Sequence, residues 1–231
     1  MNHLDKANTE THKMTTAKLN AKAILFDLDG TIVDTQNAYL HTAKTAFQAM
    51  DLEPPTPQTA LQIPKRLEQR LPIDDIIHTD STRFLAVYLE TFYAIAHTKT
   101  KPIPNIHTTL ETLQQKAKLA LITMRDTPKT FVEKELQQFG LSKYFPYILT
   151  AQDTYKPKPS PEAHIKALEY MNIQIEDCLI VGDSVLDVTA GKTAGAKTIA
   201  VLSGLYTKQE LAKVDPDLIL KDATQIPSCI C

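Results

Sequence analysis

The chain is short of cysteine, has no long apolar run and carries no excess charge of either sign. Cys178, Cys229 and Cys231 are its three cysteines, an odd number with no metal-type spacing to histidine, which argues against a disulfide framework or a structural zinc site. No apolar stretch approaches the ~18 residues of a membrane helix. The opening MNHLDKANTETHK has no apolar segment that could act as a secretory signal, so a cytoplasmic protein is expected. Lys and Arg number 25 against 27 Asp and Glu, giving a net charge of −2, and the basic residues are scattered. The footprint of a nucleic-acid binder is missing. Repeats and low-complexity tracts are missing too. With 231 residues, 43% hydrophobic and 23% charged, the sequence fits an ordinary folded protein of one large domain, or a domain with an insert.

What is present is a series of short apolar runs: Ala23–Phe26, Leu119–Thr123, Tyr147–Thr150, Cys178–Asp183, Thr198–Val201 and Leu218–Leu220. Most are separated by stretches of helical periodicity. Strands that alternate with helices pair in parallel through right-handed crossovers, so the body is read as α/β, a Rossmann-like parallel sheet with helices on both faces. Residues 35–102 break the alternation. They contain no glycine and no strand-like run, and Asn37–Met50 and Ser81–Thr98 repeat apolar residues at helical spacing. Pro54, Pro55, Pro57, Pro64 and Pro72 should end or kink helices between them, so a small helical bundle is expected. Residues 1–20 read as a flexible extension, with Met14 as an alternative start, and 226–231 as a frayed tail. Cys229-Ile230-Cys231 is similar to the twin-cysteine ends of some prenylated small GTPases, but nothing else here resembles a GTPase.

Candidate chemistry sits at strand ends. Asp27 and Asp29 follow the first apolar run, at the carboxyl edge where open α/β sheets bind ligands, with Gly30-Thr31 allowing a tight turn. Thr123 ends the second run. Lys156 and Lys158 both fit a Lys-Pro-x-Pro pattern in Lys156-Pro157-Lys158-Pro159-Ser160-Pro161. Asp183 and Asp187 follow another strand and lie one helical turn apart, so both carboxylates can face one side.

In this order the four stretches resemble the motifs of the haloacid dehalogenase-like hydrolases, over residues 21–222, and the phosphoglycolate phosphatase-like members in particular. The resemblance implies a core domain from 21–34 and 103–225, with 35–102 as an inserted α-helical cap domain that closes over the site and chooses the substrate. It implies Asp27 as nucleophile, Asp29 as general acid and base, and Lys158 as the motif lysine, because only that register sets the next helix at the family's usual distance. Thr123 and Met124 would contact phosphate. Asp27, Asp183 and the backbone carbonyl of Asp29 would hold Mg²⁺, a hard cation suited to oxygen donors, with Asp187 orienting Lys158 or a metal-bound water.

The implied activity is hydrolysis of a small phosphorylated metabolite through an aspartyl-phosphate, which splits one slow step into two. A second aspartate at position 29 disfavours dehalogenation. A phosphosugar mutase and a silent phosphate-binding protein are the alternatives, the second opposed by the intact set Asp27, Asp29, Lys158 and Asp183. Cap candidates for substrate contact are Gln36, Asn37, Lys65 and Arg66, each also readable as solvated helix surface. His41, His78 and His97 read as surface or core-edge residues. Asn105 should replace the family's usual glycine at a positive φ. Relatives commonly carry Asn after the motif threonine, whereas this chain has Met124-Arg125. Arg125 is open to two readings, a ligand for a substrate anion or a surface cation.

Overall fold

A computed structural model describes residues 18–231. Most of the expected extension, including Met14, lies outside the described residues. The chain begins its sheet with β1 (Ala23–Phe26) and turns back through the two-residue β2 (Val33–Asp34). Five helices follow: α1 (Gln36–Ala49), α2 (Pro57–Ala60), α3 (Gln62–Glu68), α4 (Asp74–Ile77) and α5 (Ser81–Lys99). The two-residue β3 (Lys101–Pro102) pairs antiparallel with β2, so the inserted helical region leaves and rejoins the body through adjacent strands. Next come α6 (Ile106–Gln114), β4 (Lys118–Ile122), α7 (Lys129–Gln138), β5 (Tyr147–Leu149), α8 (Glu162–Met171) and β6 (Cys178–Gly182). The chain ends with α9 (Val185–Ala194), β7 (Lys197–Val201), α10 (Lys208–Ala212), β8 (Leu218–Leu220) and α11 (Ile226–Cys229).

The main sheet has the order β5-β4-β1-β6-β7-β8, and every neighbouring pair is parallel. A parallel sheet covered on both sides has no polar face, which is why these strands are continuous apolar runs rather than alternating ones. Alternate residues of β1 point to opposite layers. Ile24 and Phe26 pack with Leu110 of α6, Leu136 of α7 and Ile226 of α11, while Leu25 packs with Ala167 and Met171 of α8. In register, Phe26 lies beside Leu121 and Val181, so β4, β1 and β6 end together and their following loops meet.

The inserted helices have their own core, where Phe47, Ile63, Ile77 and Phe84 are buried together. Asp80 starts α5 by accepting the Arg83 N–H at 2.7 Å. Proline shapes the segment as expected: Pro57 opens α2, and Pro64 lies in the first turn of α3, where a missing N–H costs little. Asn105 adopts φ +65°. The β2–β3 ribbon was not expected, since two-residue strands have no periodicity to read.

The frayed tail needs correction. Ile226 and Ile230 are buried among the core residues under α6, the Leu19 N–H donates to the Cys229 carbonyl at 2.8 Å, and the Cys231 N–H donates to the Leu19 carbonyl at 3.1 Å. Burial of two isoleucines outweighs the entropy of the last residues. Ile230→Ala should therefore cost about 2–5 kcal/mol in urea unfolding. An unchanged midpoint would show that the segment contributes nothing.

Candidate active site

The segments that follow β1, β4, β5 and β6 bring together four aspartates and two cations. The Asp27 N–H continues the β1–β6 pairing by donating to the Val181 carbonyl at 2.9 Å, which fixes its side chain at the sheet edge. Lys158 is 4% exposed, and its ammonium donates to Asp27 Oδ1 at 2.7 Å, Asp187 Oδ1 at 2.6 Å and the Ile122 carbonyl at 2.8 Å. All three protons are used. Lys156 is exposed, and its N–H, like that of Tyr155, is tied to Glu162.

Asp183 and Asp187 are positioned by the start of α9. Ser184 caps that helix, accepting the Leu186 and Asp187 N–H groups, while Asp187 Oδ2 accepts the Ser184 N–H at 3.1 Å. Asp183 Oδ1 accepts the Thr31 hydroxyl at 3.2 Å. Its carboxylate lies against two glycines: a Cβ added at Gly204 would come within 1.6 Å of Asp183 Oδ2, and one at Gly30 within 2.6 Å. Gly30 also takes φ +83°. Only glycine lets the backbone approach this closely.

Carboxylate oxygens of Asp27, Asp183 and Asp187 all lie within 4.8 Å of one another. Such hard oxygen donors, buried and crowded, fit a divalent cation. Burial pushes the carboxyls of Asp27 and Asp183 well above the usual carboxylate range; Lys158 opposes this at Asp27, while the charge of Asp27 adds to it at Asp183. Asp187 offers less to a cation, since Lys158 and Ser184 already occupy one oxygen each.

Asp29 is held differently. Arg125 grips it with two hydrogen bonds, Nε to Oδ2 at 2.8 Å and Nη2 to Oδ1 at 2.7 Å, and Thr35 donates to Oδ1 at 2.7 Å. Burial alone would raise its carboxyl, but Arg125 and Thr35 outweigh burial and hold it below the usual range. Behind it, the Arg125 guanidinium also donates to Glu135, which accepts the Thr100 hydroxyl at 2.7 Å. This excludes the surface-cation reading of Arg125, which is 7% exposed. As a ligand for substrate it is already committed to two carboxylates.

Thr123 and Met124 line the same cavity as Asp27, Asp29 and Asp183, a space of about 400 Å³ between the sheet edge and the inserted helices. Thr123 Oγ1 accepts the Arg125 N–H at 3.2 Å, leaving its own proton to donate elsewhere. Of the candidates on the inserted helices, Gln36 lines this cavity. Asn37 is exposed, Lys65 donates to Glu210 at 2.6 Å, and Arg66 pairs with Asp75 at 2.5 Å. His41, His78 and His97 are exposed.

Sequence reasoning missed Tyr39, Glu68, Tyr88 and Phe92, which also line the cavity. The aromatic residues carry the same helical periodicity as core residues, so no signal separated them. Glu68 reaches in from α3 and accepts the Tyr206 hydroxyl at 3.0 Å. Burial, then the charge of Asp187, raises its carboxyl to about 7.

The family model described as haloacid dehalogenase-like hydrolase matches residues 24–201. Pyrophosphatase PpaX of Halalkalibacterium halodurans is 28% identical over 219 residues, covering 88% of this chain and 94% of its own length. Phosphoglycolate phosphatase 1 of Pseudomonas aeruginosa is 28% identical over 218 residues, covering 90% of this chain and 79% of its own. A haloacid dehalogenase-like family hydrolase from Streptococcus pneumoniae shares the fold, with a TM-score of 0.74, 21% identity, and coverage of 92% and 98%.

Removing one partner of a buried ion pair strands the other charge. Arg125→Met leaves Asp29 and Glu135 uncompensated and should cost about 3–5 kcal/mol in chemical denaturation. Adding Glu135→Gln should recover part of that loss; no loss in the single variant would contradict the assigned pairing.

Proposed function

Because this chain belongs to the haloacid dehalogenase-like hydrolases, with the form of their phosphoglycolate phosphatase-like members, we propose that it is a Mg²⁺-dependent phosphatase. It hydrolyses a small phosphorylated metabolite through a phosphoryl group carried on Asp27. The observation that supports this most is Asp27 at the foot of a cavity, held through one oxygen by Lys158 and flanked by Asp183. A carboxylate fixed by one oxygen is aligned to attack through the other.

Phosphate monoesters are anionic, so a carboxylate nucleophile needs positive charge beside it. Asp27, Asp183 and the backbone carbonyl of Asp29 would hold Mg²⁺, which supplies that charge when bound. Lys158 adds a fixed ammonium, and Asp187 keeps it in place. Thr123 can donate its hydroxyl to one phosphoryl oxygen. Asp27 attacks phosphorus as the bond to the leaving oxygen breaks, and that oxygen takes a proton from Asp29. Water then attacks the phosphoryl group, Asp29 accepts its proton, and phosphate leaves with Asp27 restored.

The ionised state of Asp29 in the resting protein suits the base step. An arriving phosphate dianion raises its proton affinity, so Asp29 takes up a proton from solvent or from the substrate before the acid step. The helices between Gln36 and Lys99 act as a cap domain that excludes water and contacts the leaving group. Among the described residues no helix is long and apolar enough to cross a membrane, and the proposed setting is the cytoplasm. Pyrophosphate and phosphoglycolate, after which two relatives are named, are the first compounds to assay.

Phosphate release should require Mg²⁺, fall to background in Asp27→Asn, and drop by about 10²–10⁴-fold in Asp29→Ala. Full turnover by folded Asp27→Asn would overturn the nucleophile.

A further inference from the structure

Opposite the aspartates, the cavity is closed by α1, α3 and α5, and its wall there is apolar. Tyr39, Leu67, Leu85, Tyr88, Leu89 and Phe92 form most of it, and the Tyr39 and Phe92 rings stack with centroids 5.3 Å apart. Among the described residues that line this side, the one ionisable carboxyl is that of Glu68, which burial raises to about 7. Arg125 is the one cation among the described residues lining the cavity, and Asp29 and Glu135 hold it, with its guanidinium 5.6 Å above the Phe92 ring. Lys65, which could have been a second cation, donates to Glu210 at 2.6 Å and lies over the Tyr206 ring. A substrate with a second anionic group would lose its hydration there and find no free cation. Burying an unpaired charge is among the costliest events in recognition.

One fully buried polar atom on this wall lacks a partner among the described residues. Tyr88 is 2% exposed, and its hydroxyl is buried with no hydrogen bond among the described residues. A buried hydroxyl left unpaired is costly, and a ligand atom that satisfies it recovers that cost.

We infer that the physiological substrate is a phosphate monoester whose leaving group is uncharged and largely apolar or aromatic, with one hydrogen-bonding atom that meets Tyr88. The inference rests on the phosphatase reading and names its substrate class. It separates this cavity from one that selects pyrophosphate or phosphoglycolate, since each of those carries a further anionic group.

The test is phosphate release with Mg²⁺ from benzyl phosphate, its 4-carboxybenzyl twin, 2-phosphoglycolate and inorganic pyrophosphate. The expected kcat/KM for benzyl phosphate exceeds that for the carboxylated twin by at least about tenfold. Leu89 lines the cavity from the half-exposed face of α5, so Leu89→Arg can be made without opening the core, and it should narrow that gap by about tenfold. A preference for phosphoglycolate or pyrophosphate, or a gap that Leu89→Arg leaves unchanged, overturns the inference while the phosphatase reading stands. No release from any of the four compounds by folded protein overturns both.

Discussion

A single buried ammonium ties the working edge of this protein together. Lys158 reaches the carbonyl of Ile122 at the end of β4, the carboxylate of Asp27 just after β1 and that of Asp187 in α9, which follows β6. These three strands are neighbours in the sheet, so one side chain joins three consecutive strand ends. Burying an ammonium costs several kcal/mol, and only well-placed partners repay it. Here every proton has one. The same contact orients Asp27 and keeps Asp187 turned toward the lysine.

Charge balance explains much of the remaining design. Carboxylates outnumber cations at this edge, and burial makes each additional negative charge harder to keep. Arg125 pairs with both Asp29 and Glu135 from the other side, one positive charge shared between two carboxylates, and joins the first aspartate loop to α7. Around Asp183 the solution is space rather than charge: Gly30 and Gly204 bring backbone where no Cβ would fit. What is left is a pocket of crowded oxygens facing a cavity, the arrangement that a divalent cation would relieve.

Much of this could be read in the sequence because its causes are local. Continuous apolar runs mark strands buried on both faces, and Asp27, Asp29, Asp183 and Asp187 follow such runs, so strand ends gave the site its outline. Proline and the absence of glycine outlined the inserted helices. Other features depend on contacts between distant residues. The partnership of Arg125 with Glu135 follows from packing the β4 loop against α7, and the burial of Ile230 from pairing with Leu19. Neither leaves a periodic signal. The cavity wall was hidden for a related reason, since Tyr88 and Phe92 have the spacing of ordinary core residues until the fold shows which of them border empty space.

The crowded carboxylates of Asp27 and Asp183 are proposed to be completed by a divalent cation. The most direct measurement is thermal unfolding of the native protein and of Asp183→Asn across a Mg²⁺ titration. A ligand that binds only the folded state stabilises it by about 2.7 kcal/mol at a hundred times its dissociation constant. A saturable rise in melting temperature is expected for the native protein, and Asp183→Asn should largely remove it. Equal melting temperatures with and without Mg²⁺ in the native protein would contradict the proposed cation site.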